Sequence, residues 1–195
     1  MDTAFQLDKA LQGVGELLER RGELAAIVVV GGTALNLLGI VERYTRDVDV
    51  LALATPRPRG EPDNVRAPYP LPPALLDAAA TVARDLRLPP DWLNTVVGAQ
   101  WQTGLPPGLV DRIRWERFAG LWVGLPHRLD LIHFKLYAAA DDIGTKSRHY
   151  QDLVALAPTA AELERARMWV EEQDPSPAIA NALQQILALV QTENR

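Results

Sequence analysis

The sequence contains no cysteine. Disulfide bonds, thiolate metal sites and a cysteine nucleophile are therefore excluded together. The histidines are few, and His127, His133 and His149 do not show the spacing of a metal site. Metal chemistry based on Cys and His ligands is thus not indicated.

Lysine is scarce as well, since only Lys9, Lys135 and Lys146 are present, and the net charge of the 195-residue chain is −5. An acidic protein does not coat nucleic acid by bulk electrostatic attraction, although a local basic groove is compatible with this charge. The hydrophobic fraction of 48% is that of a folded globular chain and is too high for a disordered one.

One uncharged run is long, because Leu24 to Val41 covers eighteen residues, the minimum for a membrane helix. Gly31-Gly32-Thr33 interrupts this run, the valines before it favour a strand, and the residues from Ala34 onward favour a helix. We therefore predict a strand, a glycine turn and a helix, and no membrane association. The N-terminus is amphipathic and lacks the apolar core of a secretory leader, so we expect a cytoplasmic protein.

The hydrophobic pattern predicts an α+β fold. A small mixed sheet with helices is expected over residues 1–125, and a helical region that packs on this core is expected over residues 126–195. The Pro-rich segment 55–73 predicts a surface excursion without regular strand pairing, and 104–108 predicts a second loop. The predicted strands are 25–30, 47–53, 109–117 and 120–124, and the predicted helices are 4–22, a short one ending near Leu38, 73–86, a short one containing Trp92 and Leu93, 127–142, 146–157, 159–173 and 178–192.

Two aspartates alternate along the second predicted strand. Period-two alternation places Asp47 and Asp49 on one face of that strand, whereas Val48, Val50 and Ala52 face the core. Two neighbouring carboxylates repel each other unless a cation lies between them. Mg²⁺ is the cation expected, because it takes carboxylate oxygens and completes its coordination with water and substrate phosphates. A solvated acidic face is the alternative interpretation.

The glycine turn predicts a phosphate site. A strand that turns through Gly31-Gly32-Thr33 into a helix presents unpaired backbone N–H groups at the positive end of that helix. Glycine lets a phosphate approach the backbone closely. An ordinary tight turn is the alternative interpretation.

These motifs in combination resemble those of a known superfamily. An apolar residue, Gly31-Gly32, a short helix and then Asp47-x-Asp49 in a strand resemble the DNA polymerase β-like nucleotidyltransferases. The longer string Arg43-x-Thr45-x-Asp47-x-Asp49 is similar to the AbiEii-type branch, which includes toxins of toxin–antitoxin and phage-abortive systems. The resemblance covers residues 25–155. Its later and less specific segments are Trp92-Leu93-Asn94, Leu131-Ile132-His133-Phe134-Lys135-Leu136 and Arg148-x-x-x-Asp152-Leu153.

The resemblance implies a Mg²⁺-dependent transfer of a nucleotidyl group from a nucleoside triphosphate. The acceptor implied is the 3′ end of tRNA or a protein hydroxyl, and a cognate antitoxin is the implied partner. The residue roles implied are metal binding by Asp47 and Asp49, nucleotide binding by Gly31, Gly32, Thr33, Arg46 and Lys135, and a further acid of the site at Asp152.

The sequence departs from the superfamily pattern in one respect. Many members carry a third metal-binding carboxylate on a later strand, and no residue of this chain matches it plainly. Asp111 is the best candidate, because alternation would place it on a strand face with Ile113 and Trp115, whereas Glu116 would lie on the opposite face.

Lys135 and Asp152 also have a structural interpretation. Lys135 shares a helix stripe with apolar residues, so its ammonium is predicted to be part-buried and to need an anion, which Asp152 on the next helix could supply.

Two other classes of function stay open. The chain could be a degenerate member that binds a nucleotide or a protein without catalysis, as the missing third carboxylate suggests. It could also be an interaction protein that uses the helices from Ala160 onward, although their apolar stripe is more typical of a core.

Overall fold

The computed structural model describes residues 4–43 and 45–193, which form two compact units. The first unit comprises the chain up to Gln102 together with Val110–Pro126, and it contains the sheet. The second comprises Thr103–Leu109 and the chain from His127 onward, and it is helical.

The sheet unit begins with α1 (Ala4–Arg20), β1 (Ala25–Val30), α2 (Gly31–Leu37) and β2 (Val48–Thr55). It continues with β3 (Asp63–Arg66), α3 (Pro73–Leu86), β4 (Leu93–Asn94) and the short α4 (Gln100–Thr103), which reaches its boundary. The hairpin of β5 (Arg114–Phe118) and β6 (Leu121–Leu125) completes the sheet. Single 3-10 turns lie at Val96–Ala99 and Val110–Arg112.

The strands follow the order β3-β2-β1-β6-β5, and β4 pairs with β2 beside β3. β1 runs antiparallel to β2 and parallel to β6, so the sheet is mixed. Every residue of β1 is buried, as expected for a central strand made of alanine, isoleucine and valine. β1 is therefore the centre of the core, and the start of β2 lies beside its carboxyl end.

The helical unit consists of α5 (Arg128–Asp141), α6 (Arg148–Ala155), α7 (Ala160–Gln173) and α8 (Pro177–Glu193). α5 packs against the other three helices. The apolar residues of α8 face this core, since Ile179, Leu183, Ile186 and Val190 are all buried. Most of the apolar stripe of α8 is therefore part of the core of the helical unit and is not exposed for a protein partner.

A charged pair ties the start of α5 to the start of α7. The Arg128 guanidinium donates to both carboxylate oxygens of Glu162, at 2.8 and 2.9 Å, and also to the carbonyl oxygens of Leu156 and Ala157. The hydrogen bond from Arg128 lowers the pKa of Glu162 from its ordinary 4.5 to about 2, and bonds from Thr159 act in the same direction. The paired geometry fixes the loop between α6 and α7.

The prediction of an α+β fold with a helical C-terminal half is confirmed, whereas its nucleotidyltransferase type stays a prediction. The packing of residues 126–195 on residues 1–125 and the cytoplasmic localisation also stay predictions. Among residues 4–43 and 45–193, no helix is both long enough and apolar enough to cross a bilayer.

Three local predictions are wrong. Segment 55–73 does contain a strand, because β3 pairs with β2 through Leu53↔Arg66 and Thr55↔Asp63. Leu93 lies in a strand and not in a short helix. The first strand of the hairpin begins at Arg114 and not at 109.

Candidate functional site

The two aspartates lie where β2 begins. Asp47 immediately precedes the strand, so its predicted place inside the strand is wrong by one residue, and Asp49 is the second residue of the strand. Asp47 is exposed, Val48 is buried, Asp49 is half-buried and Val50 is buried. The buried Val48 and Val50 thus alternate with two acids that remain accessible, Asp47 fully and Asp49 in part.

The glycine turn lies directly against one of these carboxylates. β1 ends at Val30, which is in register with Asp49, and α2 begins at Gly31. Gly31 has φ +69°, and a Cβ at this position would lie 2.5 Å from Oδ2 of Asp49. Both the backbone conformation and the close approach therefore require glycine. The glycine turn and the acidic strand thus meet, as the motif spacing predicts.

The next residues of the turn hold the chain that leads into β2. A Cβ at Gly32 would collide with the hydroxyl of Thr45. The buried Thr33 hydroxyl donates to the carbonyl oxygen of Asp47 at 2.7 Å. Because that hydroxyl is used within the chain, Thr33 can offer a phosphate only its backbone N–H.

Asn36 on α2 completes this connection. Its Nδ2 donates to the carbonyl oxygen of Arg43 at 3.0 Å and to the hydroxyl of Thr45 at 3.3 Å, and its Oδ1 accepts from the Arg43 N–H at 3.2 Å. The segment before the aspartates is therefore fixed by α2 on both sides of Tyr44, which lies outside the described residues. Arg46 follows and is exposed beside Asp47.

Asn94 contacts Asp49 from the other side. β4 is parallel to β2, and Asn94 is in register with Asp49. Its Nδ2 donates to Oδ1 of Asp49 at 3.2 Å, and its Oδ1 accepts from the N–H of Val96 at 3.1 Å. The sequence indicated Asn94 only as part of a family-like segment. Its contact with Asp49 depends on a two-residue strand that the sequence does not predict.

Lys135 and Asp152 form a buried ion pair inside the helical unit. The Lys135 Nζ lies 2.7 Å from Oδ2 of Asp152, and the two side chains are 7% and 2% exposed. The predicted pairing of α5 with α6 through these residues is therefore present. This pair joins α5 to α6 within the helical unit.

The expected place of Asp111 is wrong. Asp111 is exposed in the 3-10 turn Val110–Arg112 and lies three residues before the strand begins at Arg114, so strand alternation does not apply to it. Glu116 does lie on β5, where its carboxylate pairs with Arg114 at 2.6 Å. Within the part of the chain that the structure describes, no group of three or more His, Cys, Asp or Glu side chains is arranged to hold a metal.

The donor set at the start of β2 therefore consists of two carboxylates. Such a set does not form an all-protein cage. It fits Mg²⁺, which is commonly held by one or two carboxylates and completes its shell with water and substrate phosphates. The close contact between Gly31 and Asp49 places the backbone turn at the start of α2 directly beside one of these carboxylates.

The chain was compared with protein-family models, curated proteins and solved structures, and none of them matches it. The family resemblance therefore depends on the sequence motifs. What the structure adds is the geometry around Asp49.

Proposed function

We propose that this chain is a Mg²⁺-dependent nucleotidyltransferase of the AbiEii-like type. Asp47 and Asp49 hold the metal, and the turn at Gly31 and Gly32 holds the phosphates of a nucleoside triphosphate. The observation that carries the proposal is the contact between the Gly31 backbone and the Asp49 carboxylate. It supports a single site in which metal ligand and phosphate cradle are neighbours.

Asp49 and Asp47 differ in exposure and in hydrogen bonding, and we assign them different roles. Asp49 is half-buried and bonded to Asn94, so its carboxylate is preorganised, whereas Asp47 is exposed and can turn toward a ligand. Mg²⁺ held by Asp47 and Asp49 would supply positive charge that offsets the charge of the phosphates. The acceptor hydroxyl would attack the α-phosphorus, the bond from this phosphorus to pyrophosphate would break, and the hydroxyl proton would pass to water. Rate would come from positioning and electrostatics, because this transfer requires no covalent protein nucleophile.

The roles of Arg46, Lys135 and Asp152 are proposed on the resemblance. Arg46 is exposed next to Asp47, which suits a contact with phosphate. The resemblance alone assigns Lys135 a contact with the triphosphate, and within the helical unit Asp152 holds its ammonium through the 2.7 Å ion pair.

The acceptor in this proposal is an RNA 3′ end or a protein hydroxyl. The net charge of −5 makes a protein hydroxyl the easier acceptor, because RNA binding would depend on a local basic groove. By the same resemblance, the chain is the toxin of a pair and binds a cognate antitoxin.

The test is transfer of label from α-³²P nucleoside triphosphates into total RNA and into total protein. Labelling by Asp47→Ala should be at least about 100-fold lower than labelling by wild type, because a metal ligand that acts in the transition state is removed. Asp111→Ala is the matched control, since Asp111 is an exposed acid outside the site, and it should label like wild type. Equal labelling by wild type and Asp47→Ala would contradict the proposal.

A non-catalytic nucleotide-binding protein is the second candidate, favoured by the two-carboxylate donor set. Calorimetry with Mg²⁺ and a nucleoside triphosphate separates the two. Binding that depends on Asp47, without transfer to any acceptor pool, would establish this second function.

A further inference from the structure

We propose that Asn94 is a positioning residue for Asp49, which orients one carboxylate oxygen toward the metal and keeps the position in register with Asp49 neutral. The inference rests on the proposed function, because it concerns the metal of that same site. It assigns a role to a residue that does not itself bind the metal.

The orientation of the Asn94 amide is determined by its two partners. The N–H of Val96 can only donate, so the atom 3.1 Å away must be the amide oxygen. The amide nitrogen then faces Oδ1 of Asp49 at 3.2 Å, where a carboxylate oxygen can only accept. The opposite orientation would place donor against donor and acceptor against acceptor, so Asn94 presents an N–H donor to the acidic site.

The Asn94 donor fixes one oxygen of the Asp49 carboxylate. Oδ1 accepts from Asn94, while Oδ2 packs against the Gly31 corner, where a Cβ would come within 2.5 Å of it. The two contacts hold the carboxylate in one orientation, with Oδ2 on the side of the proposed phosphate cradle. A hydrogen-bonded partner that orients a ligating carboxylate typically changes metal affinity by 10–100-fold.

Asn94 is itself held in place from the far side. Val96 opens the 3-10 turn that follows β4, and the hydroxyl of Tyr69 donates to the carbonyl oxygen of the intervening Thr95 at 2.6 Å. The amide is thus attached to backbone that is tied to a separate loop. This second attachment holds the amide in place while β4 is paired with β2, which is what a positioning residue requires.

The register also shows what a charge at this position would meet. Asn94 is the residue of β4 that pairs with Asp49, so an acid here would place a second carboxylate against that of Asp49. Asparagine has the shape of aspartate but no charge. Asn94→Asp therefore keeps the shape of the side chain at this position but replaces the neutral N–H donor with a negative carboxylate.

The experiment measures Mn²⁺ binding by electron paramagnetic resonance of the free ion, and thermal unfolding by circular dichroism with and without Mn²⁺. It uses the full chain as wild type, Asn94→Ala, Asn94→Asp and Asp47→Ala, at a temperature where circular dichroism shows each variant folded. Neither readout needs a substrate or turnover.

We expect Asn94→Ala to bind Mn²⁺ about 10–100-fold more weakly than wild type. We expect Asn94→Asp to unfold at a lower temperature than wild type unless Mn²⁺ is present, because two carboxylates then face each other. Wild-type affinity in Asn94→Ala would overturn the inference, even if that variant is less stable, because a merely structural residue would behave in that way. A difference in unfolding temperature between Asn94→Asp and wild type that is the same with and without Mn²⁺ would also overturn it.

A failure of the proposed function has a different signature. If wild type binds Mn²⁺ no better than Asp47→Ala, the metal site is absent and the role of Asn94 is refuted with it. If Asp47→Ala loses Mn²⁺ while the Asn94 variants behave like wild type, only the inference about Asn94 is overturned.

Discussion

The substitution Gly31→Ala tests the geometry on which the site depends. Gly31 has φ +69° and lies against the Asp49 carboxylate, so an alanine here meets two separate obstacles. Gly39 has the same φ of +69°, but a Cβ there would have no atom within 4 Å. Gly39→Ala is therefore the matched control, because it carries the backbone cost without the contact.

The expected size of each effect follows from these two obstacles. The left-handed conformation costs alanine about 1–2 kcal/mol at either position. At Gly31 the carboxylate of Asp49 must also move, which costs about 1 kcal/mol for a side chain displaced from its rotamer and about 1 kcal/mol for a weakened bond to Asn94. Gly31→Ala should therefore lower the free energy of unfolding by about 2 kcal/mol more than Gly39→Ala.

The assay is urea unfolding followed by circular dichroism, on both variants and again in an Asp49→Ala background. Truncating Asp49 leaves only its Cβ, 3.8 Å from the new methyl group, which is an ordinary contact. In that background the excess cost of Gly31→Ala should disappear, which gives a coupling free energy of about 2 kcal/mol. Equal destabilisation by the two glycine variants, or an excess that persists without Asp49, would refute the described contact.

Two further predictions concern the helical unit. Lys135→Met should lower the free energy of unfolding by about 3–5 kcal/mol, because it removes the ammonium that pairs with the Asp152 carboxylate, which is 2% exposed. The double variant Lys135→Met with Asp152→Leu should recover most of that loss in the same urea assay. No recovery would contradict this account. The pKa of Glu162 is lowered from 4.5 to about 2, so the stability that its ionised form contributes is present above pH 4.5 and is lost as the pH falls from 4.5 toward 2. Glu162→Gln should therefore be less stable than wild type by about 2 kcal/mol at pH 6 and should approach it near pH 2, whereas a difference that is constant with pH would be inconsistent with the pairing to Arg128.

The parts of the fold that were predictable are those encoded by local sequence. The apolar β1, the glycine turn and α2 follow from neighbouring residues, and Gly39 ends this helix as expected, just beyond its C-cap at Leu38. The strands that were missed gain their structure from a distant partner. β3 is four residues long and lies between Pro62 and Pro68, and it exists because the edge of β2 is available for pairing.

The candidate site was predictable to a similar extent. Gly31, Asp47 and Asp49 were identified as site candidates from the sequence, and the pairing of Val30 with Asp49 is what brings the turn and the acids together. The Lys135–Asp152 pair was predictable because each residue lies on an apolar stripe where a lone charge would be costly. The contact of Asn94 with Asp49 was not predictable, since it depends on the register between β2 and β4, whose paired residues lie 45 positions apart in the sequence.

The brevity of β4 has a consequence for the dynamics of the site. This strand contributes only Leu93 and Asn94, so very little backbone hydrogen bonding retains it beside β2. Short marginal segments open at a lower free energy than the core that supports them. Amide hydrogen exchange at residues 93–96 should therefore be faster than in β1. Each time β4 separates from β2, the Asp49 carboxylate loses its hydrogen bond with Asn94, while the buried valines of β1 stay folded.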